Sequence, residues 1–308
     1  MMKIPPLVAI FLVNFIQSAV GFSAPTPSLQ SVLSANKAKI DFLKDIASTI
    51  SDDEAVAPKD DIFYLRYILN DSYEDDKERV AALESNLQWR GNEGHAIVSS
   101  ARKAVKSAME GGGTFTWNND PVQNAAPHSK LIHQFLTPIQ CITTSLPSTK
   151  DLVYCIRAGK IDDNGLMSAV TVDQMVEFFL YCKEVSSTVA DIRSLETDIL
   201  IKLITCNDLA GVKLVGGSPD LRKSLSTASK KANELYPSLN GRTLMLNPPT
   251  LLKMLIALFN PLFPEAVRQR IRFVSGPLKD VEDLRDIAEG GKGRDEFVNQ
   301  VVSLAYGD

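Results

Sequence analysis

Tyr236–Gly276 reads YPSLNGRTLMLNPPTLLKMLIALFNPLFPEAVRQRIRFVSG, and the reading of its middle decides the fold. In Thr250–Phe263, TLLKMLIALFNPLF, only Thr250, Lys253, Asn260 and Pro261 interrupt the apolar residues. A surface helix carries one apolar stripe opposite a polar face. This segment is apolar almost all round, so it is buried or it meets something other than water. It is too short to cross a bilayer, which takes about 20 apolar residues. Two short strand-like runs flank it, Thr243–Leu246 and Arg270–Val274. A greasy, proline-bounded helix between two strands has the form of a lid over an apolar cavity. Periodicity alone leaves both a core helix and a lid open.

Upstream, helices alternate with short strands. Asp151–Ala158, DLVYCIRA, has strand composition, and Asp162-Asp163-Asn164-Gly165 supplies turn chemistry. Val172–Thr197 is a long helix with Met175, Phe178, Phe179, Cys182 and Val185 on one side. Asp198–Cys206, DILIKLITC, is the most strand-like run, followed by a turn at Asn207–Gly211. Leu221–Leu235 is helical, Leu244–Leu246 a strand, Pro264–Arg270 a short helix and Ile271–Val274 a last strand. Val281–Ala288 and Asp295–Leu304 close the chain as helices around a flexible Gly290-Gly291-Lys292-Gly293. This alternation predicts an α/β layer with a partly parallel sheet.

The front third is helical throughout. Asp41–Thr49 is amphipathic, Ser51–Asp61 is a polar linker, and Asp61–Gly91 forms two helices joined near Asn70–Asp76. Ala96–Met109 is a further helix, ended by Gly111-Gly112-Gly113, and Thr114–Pro127 is a polar loop.

With 308 residues the chain has room for about two domains, and at 44% hydrophobic it can build a large core. A net charge of −4 without a long Lys/Arg run argues against nucleic acid as a partner. Cys141, Cys155, Cys182 and Cys206 form no CxxC pair, which argues against zinc and for buried, reduced thiols. The N-terminus has targeting character. Met1–Lys3 is a short basic start, Leu7–Ile16 an apolar core of signal-peptide length, and Ala19-Val20-Gly21 a small-residue cleavage site. Phe22–Ile40 has no Asp or Glu, two Lys and four Ser, the composition of a transit peptide. A signal peptide followed directly by such a segment, with Phe22 at the junction, resembles the bipartite presequences of algae with secondary plastids. That resemblance implies a complex plastid; an ordinary secreted protein is the alternative.

No constellation builds a reaction centre. His128 and His133 are five apart, off the i, i+4 spacing that shares a helix face. HExxH, GxSxG and GxxxxGK are absent. Asp162 and Asp163 lack the acidic spacing and closing Glu of a calcium loop. Asp208 follows a strand without a paired base or nucleophile, so a cap or turn role fits it better than catalysis. Apolar surface is what remains. A cavity walled by Tyr154 and Ile156 on one strand and by Leu200 and Leu203 on the next would bind a hydrophobe by burying area.

ILIKLITCNDLAGVKL, then NELYPSLNGRTLMLNPP, then TLLKMLIALFNPLFPEAVRQRIRFVSG resemble the CRAL-TRIO family of lipid-binding and lipid-transfer proteins. The matching features are Asp208-Leu209-Ala210-Gly211 after a strand, Tyr236-Pro237 after a helix, Asn247-Pro248-Pro249 before the greasy helix, Pro261 in its last turn, and Arg272–Ser275. Tyr64-Leu65-Arg66-Tyr67-Ile68 and Gln88-Trp89-Arg90 are similar to the family's N-terminal helical motif. The resemblance spans about 62–284. It implies a small, mixed, mostly parallel sheet flanked by helices around an apolar lipid cavity, closed by a gate helix at 251–263 and preceded by an all-helical module. On that reading 1–21 is a signal peptide, 22–40 transit-like, 41–110 the helical module, 111–127 a linker, 128–285 the lipid-binding domain and 286–308 a helical tail.

The implied role is non-enzymatic: binding and transfer, or sensing, of a hydrophobic lipid, with a transient membrane surface as partner and no cofactor beyond the lipid. Leu251, Met254, Leu255, Leu258 and Leu262 would then face the ligand or its entrance, and Phe259 and Phe263 the membrane. Phosphatidylinositol-binding members carry a Thr and a Lys on the gate and a Glu on the preceding helix. Met254, Ala257 and Thr227 take those places here. Without the phosphate-pairing cation, a less charged lipid or a prenyl-type hydrophobe is expected, with Lys253 the remaining cation nearby. An interaction scaffold with a filled cavity is the alternative. A lipid-modifying enzyme would need a polar dyad at the cavity mouth.

Overall fold

The computed structural model describes residues 27–110, 119–136, 140–143, 152–212, 217–259, 271–276, 278, 284 and 292–307. Its sheet runs in the order β1 (Gln140–Thr143), β2 (Leu152–Arg157), β3 (Leu203–Asp208), β4 (Asn240–Leu246) and β5 (Ile271–Val274). β1 is antiparallel to β2, and β2 to β5 are mutually parallel. The mixed, mostly parallel α/β sheet expected from the sequence is therefore present, with β1 an added edge strand.

Parallel neighbours need a crossover, usually a helix. Between β2 and β3 the chain forms α8 (Asp163–Ala169) and α9 (Val172–Thr197); between β3 and β4 it forms α10 (Pro219–Leu235). α11 (Thr250–Phe259) follows β4 and α12 (Lys292–Tyr306) follows β5. α9 starts on a capping box. Thr171 Oγ1 accepts from the Gln174 backbone N–H, and the Gln174 side chain accepts from the Thr171 N–H. α10 starts on Ser218, with Pro219 at a position whose N–H has no helical partner.

Strand alternation gives the sheet two different faces. Val153, Cys155, Ile204, Cys206, Leu244 and Leu246 form a core with Phe297, Val298, Val301 and Ala305 of α12. The opposite face, with Leu152 and Leu203, belongs to a larger core shared with α9 and α10.

The N-terminal module comprises α1 (Leu29–Ala35), α2 (Lys37–Ile50), α3 (Asp61–Ile68), α4 (Asp76–Gly91) and α5 (His95–Ala108). Leu29, Ile40, Leu43, Ile62, Leu65, Tyr67, Leu83 and Leu87 form the core of α1 to α4, whereas Ile97, Val98, Ala101 and Val105 of α5 belong to the core shared with α9 and α10. Parts of the transit-like segment and of the expected polar loop belong to folded helices. Residues 29–35 and 37–40 of the transit-like segment lie in α1 and α2, and the Leu29 N–H donates to the Asp198 carbonyl at 2.8 Å. In the loop expected over 114–127, Asn119–Asn124 is α6, ahead of α7 (Ser129–Leu136), and Tyr181 Oη donates to the Val122 carbonyl.

Three further differences have local causes. β3 starts at Leu203, not Asp198. α9 runs to Thr197, Asp198 turns the chain in the left-handed region, and the Ile201 N–H donates to Ser194 Oγ. The apolar residues before the strand thus serve packing, and Leu200 lies against the N-terminal core. The Asp162–Gly165 turn is instead the start of α8, where Asp162 Oδ1 accepts from the Gly165 N–H. Gly293 sits inside α12, not in a flexible linker. The signal-peptide segment, the helix expected at 264–270 and most of that expected at 281–288 lie outside the described residues.

Candidate ligand-binding site

A cavity of about 150 Å³ lies between the sheet and α9 and α10. Its floor is Tyr154 and Ile156 of β2 with Leu203, Thr205 and Asn207 of β3, alternate residues that share the helix-covered face. α9 contributes Phe179, Cys182, Lys183 and Ser186, spaced i, i+3, i+4, i+7. α10 contributes Leu225, Ala228, Ser229, Ala232 and Asn233 on the same spacing, and Asn240 of β4 closes one end. The space exists because the middle of the α10 stripe is small. Where α10 would bring large side chains onto the sheet, it brings Ala228, Ser229 and Ala232.

Three residues expected from the sequence, Tyr154, Ile156 and Leu203, come together in this wall. Leu200 does not; it is partly buried against the N-terminal core. On α11, Leu252 is buried, whereas Leu251 is 56% and Met254 65% exposed. Lys253 is exposed as well, and so is Thr227 on α10. The side chains of Leu255, Ala257, Leu258 and Phe259, and all of Leu262 and Phe263, lie outside the described residues.

The α9 and α10 contributions were missed by sequence reasoning. Two signals pointed to them: the run of small residues at helical spacing in α10, and Lys183, a lone cation beside the Phe179–Cys182 side of α9. Lys183 Nζ donates to Asn240 Oδ1 at 3.0 Å, and Asn240 Nδ2 donates to Asn233 Oδ1 at 3.2 Å. Burial pushes the Lys183 ammonium down to about 8.

Asp208 is a structural residue. Its carboxylate accepts from the Ala210 N–H and from Asn247 Nδ2 and pairs with Arg157 Nε at 3.3 Å. Asn247 Oδ1 accepts from the Gly276 N–H, so one network ties the C-terminal ends of β2 to β5. Asn247 sits at φ 50 and Gly211 at φ 78, both left-handed. Asn tolerates that region and Gly occupies it freely, which accounts for these residue types in the Asp-Leu-Ala-Gly and Asn-Pro-Pro turns.

The N-terminal motif residues act across the interface. Arg90 forms two hydrogen bonds of 2.9 Å to the Glu184 carboxylate, both groups buried. Arg66 donates to Asp191 at 2.6 Å and to the Ile201 and Ser238 carbonyls. Burial raises the Asp191 carboxyl to about 6 despite Arg66. His128 Nε2 lies 2.8 Å from Glu177 Oε2, and His133 packs edge-on to Phe178. Cys155, Cys182 and Cys206 are buried thiols. Among the described residues, no group of three His, Cys, Asp or Glu could hold a metal, and no helix is long and apolar enough to cross a membrane.

Residues 147–286, which include β2 to β5 and the whole cavity wall, match the model of the CRAL/TRIO domain. A search of curated proteins found no match. Among solved structures 31 chains match. One is the crystal structure of Sfh5, which is 17% identical to this chain, with a TM-score of 0.48 and coverage of 91% of this chain and 92% of its own.

Proposed function

We propose that this chain binds a hydrophobic lipid in the cavity between β2, β3, α9 and α10, without catalysis, and transfers or presents it at a membrane surface. The observation that carries this reading is an apolar cavity inside the segment that matches the CRAL/TRIO domain. Burying apolar ligand area there is worth about 25 cal/mol per Å² and needs no reactive group.

α11 is the gate in this proposal. Strands β2 to β5 are laid down in order across the sheet, and parallel crossovers are almost always right-handed. Successive right-handed crossovers in one direction fall on one face. The β4–β5 connection, which carries α11, is therefore expected on the α9 and α10 side. The exposed Leu251 and Met254 support a helix that meets apolar surroundings. Leu255, Leu258 and Leu262 are proposed to line the ligand path, and Phe259 and Phe263 to touch the bilayer. Met254 in place of a phosphate-pairing residue favours a ligand other than a phosphoinositide.

The plastid location is proposed with one refinement. Leu29 and Ile40 are core residues of the N-terminal module, which favours processing before Leu29. A fusion of residues 1–40 to a fluorescent reporter should enter the plastid, and Phe22→Ala should block entry.

The binding reading is tested by incubating the purified chain with mixed-lipid vesicles, re-isolating it and extracting it with organic solvent. A stoichiometric lipid is expected. An empty extract would leave the interaction scaffold as the better account.

A further inference from the structure

Among the described lining residues of the cavity, Lys183 is the one cation, and none is Asp or Glu. Its single acceptor among the described residues is the neutral Asn240 amide. Glu184, the next residue, pairs with Arg90 and Arg102 and not with Lys183. An ammonium has three donors and no acceptor, and a half-buried cation without an anion gives up hydration that one neutral amide does not replace. An apolar chamber that keeps such a group has kept the complement of an anionic end group. Asn240 and Asn233, joined to each other beside it, supply further polar atoms at the same end.

We propose that the cavity takes a single-chain amphiphile whose terminal carboxylate pairs with Lys183, the chain lying along Tyr154, Ile156 and Leu203. This rests on the reading of the cavity as a lipid site and names the ligand class. One carboxylate neutralises one ammonium through a short, charge-assisted hydrogen bond. A phosphomonoester carries about −1.5 to −2 charges and would leave part of that charge buried without a cation. Lys183 does not react with the ligand; it orients it by holding one end.

The test uses the full chain, stripped of lipid, at pH 7, with dodecanoate, 1-dodecanol and dodecyl phosphate each displacing a fluorescent hydrophobic dye. Dodecanoate is expected to bind at least tenfold tighter than dodecanol and tighter than dodecyl phosphate. Lys183→Met, checked for folding by its thermal transition, should reduce dodecanoate to the level of dodecanol and leave dodecanol binding unchanged. Lys183→Arg, should the Met variant fail to fold, should keep the preference for acid over alcohol. Equal binding of acid and alcohol, or an undiminished preference in Lys183→Met, would overturn the carboxylate assignment while leaving the cavity as a lipid site. Phosphate binding as tight as carboxylate would overturn it in favour of any anion. Failure of all three amphiphiles would overturn this assignment, and the lipid-site reading falls with it only if the chain also takes up no lipid from mixed-lipid vesicles.

Discussion

Lys183 gives the folded chain a pH signature. Burial holds its ammonium near 8, against an ordinary value of 10.5, so the folded chain loses this proton before the unfolded chain does. Below about 8 the half-buried cation destabilises the fold to its full extent. Between about 8 and 10.5 the unfolded state binds more protons, so this group's contribution to stability rises with pH. The groups acting on it are the Cys182 thiol and the Asn240 amide. A tenfold change in proton affinity corresponds to about 1.4 kcal/mol, which puts the full effect on the order of 3 kcal/mol. Denaturation curves of wild type and Lys183→Met at pH 7 and pH 10 should converge as pH rises, with the variant more stable at pH 7. Parallel curves would contradict the assignment. Asp208 makes a second prediction at this scale. Asp208→Ala leaves the buried Arg157 without its carboxylate and frees Asn247 from its acceptor, at a cost of about 3–5 kcal/mol in urea unfolding. The sequence separated these two residues well in one case and not the other. Asp208 sits in a turn motif whose chemistry is local, so a structural role was legible. The position of Lys183 opposite Asn240 depends on a partner 57 residues away, which no local pattern encodes.

At the scale of elements, α10 sets the size of the cavity and α11 is its proposed gate. Ala228→Phe should place a ring into the space beside β3 and lower binding of dodecanoate at least tenfold. Because that ring enters an existing void, the stability cost should stay within the roughly 1–3 kcal/mol of an overpacked core. Thr227→Phe, one residue away on the exposed side of α10, should change neither. Unchanged binding in Ala228→Phe would place the ligand elsewhere. On α11, Leu251→Glu with Met254→Glu should weaken sedimentation with vesicles severalfold. Equal sedimentation of variant and wild type would argue against α11 as a membrane contact. The extents of α9 and β2 were readable because apolar residues recur at helical spacing in one and Val153, Tyr154 and Ile156 give the other strand composition. The start of β3 was not, since Ile199–Ile201 have strand composition but pack against neighbouring helices, where Asp198 turns the chain. Composition records that a residue is apolar; it does not record which core receives it.

Across the whole molecule, the helical module and the sheet domain are joined by buried charge. Arg66 and Arg90 come from motifs in the front third, and their partners Asp191 and Glu184 lie seven residues apart on α9, on one helix face. Removing one member of such a pair strands the other, so Arg90→Met should cost about 3–5 kcal/mol, and Arg90→Met with Glu184→Leu should recover most of it. α9 is thereby held from both sides, by the module on one and the cavity on the other. That arrangement explains why a helix carrying cavity residues is also apolar on the side away from them. It was legible in part: the motif residues could be picked out in the sequence, but the side of the molecule they face could not. Whether the chain carries a lipid at all is read by native mass spectrometry of the full chain after incubation with mixed-lipid vesicles and re-isolation. A mass shifted by one lipid per chain is expected, and Ala228→Phe should lack it. A spectrum showing only the unliganded mass at every lipid load would contradict lipid binding in this cavity.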